Sequence, residues 1–167
     1  LWQVGFLGIR VGEARNPGPL DVITANVTSL FTQAGMLDQI DADIVGLQET
    51  RLSELGQAHF HSELTAKGWQ CFWGRPQPPQ ARSDVEFCPT PWNASHGGVG
   101  LLVRQGVPAR AAALDSEATL WLWNTGRWVH TMVALNRGKE LLHIMCVYGY
   151  PNASRDHMAM AKNEELL

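Results

Sequence analysis

Two runs of branched apolar residues, with a helically spaced stretch between them, constrain this chain more than any other feature. The first is Asp21-Val22-Ile23-Thr24-Ala25-Asn26-Val27 and the second is Ile44-Val45-Gly46-Leu47. Both have the length and residue types of strands buried on both faces. Between them Leu30, Phe31, Ala34, Leu37 and Ile40 recur at helical spacing, and Asp41-Ala42-Asp43 closes the segment. Strand, helix, strand is a right-handed crossover, which makes the two strands parallel. Parallel strands end at one edge of their sheet, where open α/β folds place ligands. Asn26 and Glu49 fall at those two ends and are predicted neighbours. An amide oxygen and a carboxylate are hard ligands that suit Mg²⁺ or Mn²⁺. A carboxylate at such an exit is easily explained by a cation and poorly explained without one.

Further along, residues 56–67 read as a helix and 70–74 as a strand. Residues 75–91 form a long loop rich in Pro, Gln and Ser, of the kind that is functional or disordered. His96-Gly97-Gly98 follows, where glycines permit close backbone approach, and then a strand over 99–104. Alternation over 109–136 predicts two antiparallel strands with a turn at Asn124-Thr125-Gly126-Arg127. Trp121, Trp123 and Trp128 are expected to cover sheet faces. A long apolar strand over 140–150 carries Tyr148 to the same rim. Ser154 is placed to cap a last helix with Met158, Ala161 and Leu166 facing inward.

Four stretches, in order, resemble the endonuclease/exonuclease/phosphatase superfamily, the fold of pancreatic deoxyribonuclease and the apurinic endonucleases. They are Ile23-Thr24-Ala25-Asn26-Val27-Thr28-Ser29-Leu30, residues 42–52 around Gln48-Glu49-Thr50, Gly97-Gly98-Val99-Gly100-Leu101-Leu102-Val103, and Val147-Tyr148-Gly149-Tyr150-Pro151-Asn152. The resemblance implies an α/β (α+β) four-layer α-β-β-α sandwich over residues 20–167, behind a leader or linker over 1–19. It implies that Glu49 and Asn26 hold Mg²⁺ or Mn²⁺, that Tyr148 contacts the scissile phosphate, and that Asn152 shapes the site. The family spaces the last pair Tyr-x-Pro-Asn. This chain has one residue more, so Tyr150 rivals Tyr148. The family's later Asp-x-Asn and Asp-His motifs are not found before Leu167, so the domain reads as C-terminally truncated and is expected to have little activity alone.

Arg51 can meet a phosphate or simply pair with a nearby acid, and His96 can touch a substrate backbone or simply be solvated. His59 and His61 point in different directions on a helix and make no site. The short motifs lean towards a DNA endonuclease of retroelement or apurinic type. DNA is then the substrate partner, and a reverse transcriptase is the domain to look for downstream. A phosphatase or phosphodiesterase acting on inositol phosphate, a lipid head group or RNA is the alternative, and a noncatalytic remnant is a third. Asn16-Pro17-Gly18-Pro19 reads as a turn; Glu13 to Pro19 also resembles the end of viral ribosome-skipping peptides.

Composition narrows the class without choosing among these. At 45% hydrophobic and 17% charged the chain is globular rather than disordered. A net charge of −3 provides no global basic field for nucleic acid. Cys71, Cys88 and Cys146 contain no CxxC pair and read as reduced thiols of an intracellular protein, with the nucleus as one candidate compartment. No apolar stretch is long enough for a membrane span, and residues 1–10 lack the charged start of a signal peptide.

Overall fold

The computed structural model describes residues 4–9, 20–78, 94, 96–135, 138–150 and 156–166. A first sheet holds β1 (Val4–Ile9), β2 (Leu20–Asn26), β3 (Ile44–Gln48), β4 (Trp69–Trp73) and β5 (Val99–Arg104), in the order β1-β2-β3-β5-β4. β2 and β3 run parallel, as the crossover requires, with Ala25 opposite Leu47 and Asn26 opposite Gln48. The other pairings in this sheet are antiparallel. Residues 4–9, expected in a leader, instead form an edge strand against β2.

The crossover is not one uniform helix. α1 (Leu30–Gln33) gives way to a 3₁₀ segment over Ala34–Gln39. Gly35 is a poor helix former, and 3₁₀ winding rises about 2.0 Å per residue against about 1.5 Å for the α form. The segment thus spans more distance while still burying Leu30 and Leu37. Arg104 fixes the entry to β3 by donating to the carbonyl oxygens of Ile40 (2.8 Å) and Ala42 (3.2 Å).

α2 (Glu54–Ala66) follows Ser53, whose hydroxyl accepts from the Gly56 amide. Its Phe60 and Leu64 join Leu30 and Leu37 over Val45, Leu47 and Leu102, forming a core between the helices and the first sheet. The opposite face of the same strands presents Ile44, Val99, Leu101 and Val103 to a second sheet. That sheet is antiparallel and consists of β6 (Ala109–Ala111), β7 (Trp128–Leu135) and β8 (Glu140–Val147). The two sheets approach closely at Gly46, where a Cβ would lie in ordinary van der Waals contact, 3.5 Å from the Cys146 sulfur. Helix, sheet, sheet and the flanking helices α3 (Glu117–Asn124) and α4 (His157–Leu166) give the expected layered α-β-β-α arrangement.

Three local expectations change. β6 and β7 are antiparallel, as the alternation predicts, but α3 lies between them and carries Trp121 and Trp123; of the three tryptophans only Trp128 lies in a strand. A capping box starts α3: the Thr119 amide donates to the Ser116 hydroxyl and the Ser116 amide to the Thr119 hydroxyl, each at 3.1 Å. β8 ends at Val147, and residues 148–150 continue as irregular chain. In α4 the buried residues are Ala159 and Leu166, whereas Met158 and Ala161 are exposed. Asp156 caps it through the Met158 and Ala159 amides; Ser154 lies outside the described residues.

Candidate active site

The exits of β2, β3 and β8 meet at one edge. The Gln48 side chain donates from Nε2 to the Val147 carbonyl at 2.8 Å, tying the end of β3 to the end of β8. The residues that follow those two anchors are Glu49 and Tyr148, and the Tyr148 hydroxyl donates to Glu49 Oε1. A carboxylate from the first sheet and a phenol from the second are thus held together by a contact spanning 99 residues of sequence.

Glu49 lies in the left-handed region at φ +55°, as do Thr28 (+55°) and Arg51 (+51°). For a β-branched residue such as Thr28 that conformation is a genuine outlier. Strain of this kind persists where surrounding structure over-determines it, and it clusters at functional sites. Here it is held by a weave of backbone bonds. Val27 donates to Gln48, Leu30 to Thr50, Thr50 to Gly98 and Arg51 to Gly97, all within 2.9–3.1 Å. Gly98, at φ +85°, is needed for this: a Cβ there would meet the Thr50 hydroxyl at 2.5 Å. The Gly97-Gly98 pair therefore braces the Glu49 segment.

Asn26 reaches the same edge, paired with Gln48 in the β-ladder. Its side-chain oxygen accepts from the Thr28 amide at 3.1 Å, an Asx turn. One lone pair of that oxygen remains for a further partner. Arg51 pairs with Glu49 at 3.9 Å with its side chain 41% exposed, a weak contact in solvent. The Thr50 hydroxyl and Arg51 Nε are buried without a partner, so polar capacity at this edge is unfilled. His96 sits exposed beside the Gly97-Gly98 brace. Tyr150 is not at Glu49. It borders a cleft of about 260 Å³ shared with Trp121 and Lys162, and its backbone is tied to Asn163. Asn152 lies outside the described residues.

Burial first, and then the Glu49 hydrogen bond and charge, push the Tyr148 phenol up to about 12, with Arg127 and Arg51 pulling the other way. Tyr148 is therefore a proton donor throughout the neutral range and not a base. Arg127, which no sequence motif marks, is the buried cation of the site. Its guanidinium lies 4.1 Å from the Tyr150 ring centroid and 5.0 Å from that of Tyr148, and donates to the Gly149 carbonyl at 2.8 Å. The Tyr148 amide in turn donates to the Arg127 carbonyl at 2.8 Å. Arg127 thus clamps the segment in which this chain has one residue more than the superfamily's Tyr-x-Pro-Asn spacing. The only sequence signal for it was its position after a Gly turn and before a strand.

Among the described residues no group of three or more His, Cys, Asp or Glu gathers as a metal cluster. His59 pairs with Glu63 on α2. Cys71 and Cys146 are buried free thiols, each pushed up to about 12 by burial, and are unreactive for that reason. No helix among the described residues is long and apolar enough to cross a membrane.

No protein-family profile and no curated protein sequence matches this chain. Its likeness is to solved structures. The 3′ phosphatase NExo from Neisseria, bound to product DNA hairpin, superposes with a TM-score of 0.53 at 19% identity over 88% of this chain and 48% of its own. This is the fold of the endonuclease/exonuclease/phosphatase superfamily. A structure of the 3′-5′ exonuclease NExo from Neisseria meningitidis gives a TM-score of 0.47 at 18% identity, over 87% of this chain and 50% of its own. The chain spans about half the length of these superfamily structures.

Proposed function

We propose that the Glu49 edge is a divalent-metal site for phosphodiester hydrolysis, with DNA as the substrate and endonucleolytic nicking as the reaction. One observation carries this reading: the Tyr148 hydroxyl on the Glu49 carboxylate, brought together from two sheets. The superfamily fold supports the same chemistry, and the neighbour with a TM-score of 0.53 is a 3′ phosphatase bound to product DNA.

The residues present fit Mg²⁺ or Mn²⁺. Such ions take one or two carboxylates and complete their shell with water and substrate phosphate, which matches one carboxylate with an amide oxygen beside it. Glu49 would be the anionic ligand and the Asn26 oxygen the supporting one. When bound, the cation withdraws charge from the phosphoryl oxygen and stabilises the leaving oxygen. Tyr148, protonated at neutral pH, donates its hydroxyl to Glu49 at rest and to a non-bridging phosphate oxygen in the complex. Arg127 holds the Tyr148 segment in place, and the strained Glu49 and Arg51 backbones fix where the carboxylate and the guanidinium stand. Arg51, already half in solvent, can leave Glu49 for a phosphate.

Thermal melts test the metal. Mn²⁺ at about 100 times its Kd stabilises a one-site protein by about 2.7 kcal/mol; Glu49→Gln should lose that shift. The longest gene product containing these residues should nick supercoiled plasmid with Mn²⁺, strongly reduced in Glu49→Gln and weakened in Tyr148→Phe. Phosphate release from a 3′-phosphorylated oligonucleotide without nicking would select the phosphatase reading. Neither activity, and no metal shift, would leave a noncatalytic fold.

A further inference from the structure

The outer face of the second sheet holds four side chains that play no part in the chemistry above. In the β7–β8 register His130 lies opposite Met145, and Met132 opposite His143. Residues two apart share a face. Thr131 between them and Val129, Val133 and Cys146 beside them are buried, so the two His and two Met stand together on the other side. The imidazoles have closed on each other diagonally, with His130 Nε2 and His143 Nδ1 2.9 Å apart. Nitrogens at that separation share one proton between them, and a cation can take that proton's place. A tetrahedral ion about 2.0–2.1 Å from each nitrogen holds the pair about 3.3 Å apart, a few tenths of an ångström from where they are. Directly opposed residues have Cβ atoms about 4.5–5.5 Å apart, within reach of a methionine with three rotatable bonds.

The ligand set decides the class of ion. Imidazole serves several metals, but thioether sulfur selects soft ions and serves Mg²⁺ or Ca²⁺ poorly. Met145 is 57% exposed, so entry from solvent is open. We infer that His130, Met132, His143 and Met145 form a binding site for one soft monovalent cation of the Cu(I) type. The site is separate from the Glu49 edge, whose oxygen ligands are hard, and it stands or falls independently of any nuclease activity.

Ag(I), a diamagnetic probe of the same class, tests it by NMR of the methionine methyl groups in the 167-residue chain carrying Cys88→Ser, which removes a competing thiol. The chain has five methionines. The Met132 and Met145 signals should shift together and saturate at equimolar Ag(I), while those of Met36, Met158 and Met160 stay in place. His143→Ala, and separately the double variant Met132→Leu/Met145→Leu, should lose that saturation with unchanged thermal melts. An absence of saturable binding overturns the site. So does saturation at Met158 and Met160, or parental binding by either variant that still melts normally. Cu(I) competed against a chromogenic chelator should rank the variants in the same order.

Discussion

In the first sheet β3 turns Val45 and Leu47 to the helices and Ile44 to the second sheet, and none of the three has any exposed surface. In the second sheet β8 buries Cys146 but leaves Leu141 44% and Met145 57% exposed. β3 is covered on both faces by described residues, and β8 is buried mainly on one. The two halves of the candidate site come from these unlike settings: Glu49 extends from a rigid, doubly covered strand, and Tyr148 from a strand anchored on its inner face and at its end. Replacing large side chains on the two strands should expose the difference most directly. Leu47→Ala opens a cavity in a packed core and should cost about 2–5 kcal/mol. Leu141→Ala removes an exposed side chain and should change stability by no more than about 0.5 kcal/mol. Chemical denaturation of the two variants checks this; equal losses would show that the two sheets are covered alike.

The next effect lies where the two sheets join. Arg127 is 8% exposed, and among the described residues it has no ion pair; its charge faces two aromatic rings and two carbonyl oxygens. Hydrogen bonds to a charged group are worth about 1.5–3 kcal/mol each. Arg127→Ala should therefore cost about 2–3 kcal/mol and loosen Tyr148. Arg127→Lys keeps the charge without the planar fork and should recover part of the loss. If the site is anchored from the first sheet alone, Arg127→Ala would destabilise the fold but leave the Mn²⁺-dependent melt shift of the Glu49 edge intact.

The same contrast explains what the sequence made legible. β3 is buried on both faces and appears as a continuous apolar run; β2, expected to match it, buries Ile23 and Ala25 but leaves Asp21 and Thr24 exposed. The parallel crossover between the two places Asn26 and Glu49 at one edge without any knowledge of contacts. Tyr148 was legible only as one of two candidates. What separates it from Tyr150 is the bond of its hydroxyl to Glu49, set up by the Gln48 bond to Val147, both made between segments distant in sequence. α3 was hidden for a different reason. None of its residues is buried, so Leu120-Trp121-Leu122-Trp123 carries no 3.6-residue stripe and its alternation mimics a strand. The capping residues Ser116 and Thr119 were the available signal. The first-sheet edge strand β1 was masked by the breaker at Asn16 to Pro19, which detaches it from β2 in sequence though not in the sheet.

The smallest effect is also the most direct test of whether the two sheets meet at the site. The chain has two tyrosines, so Tyr150→Phe leaves Tyr148 as its sole phenol. Burial and Glu49 hold that phenol near 12, against an ordinary value of 10.0. A folded-state value raised above the unfolded one means that the protonated group's contribution is complete below pH 10 and declines as pH rises from there towards 12. Phenolate absorbance should therefore titrate well above 10, and stability should fall across the same interval. Glu49→Gln removes the negative neighbour and should lower the midpoint. Arg127→Ala removes a positive one and should raise it, provided Tyr148 stays in place. Opposite shifts from two residues on different sheets are what a phenol lying between them requires. An ordinary midpoint, unmoved by Glu49→Gln, would mean that Tyr148 does not rest on Glu49 in solution and that the β3 and β8 exits are not joined as described.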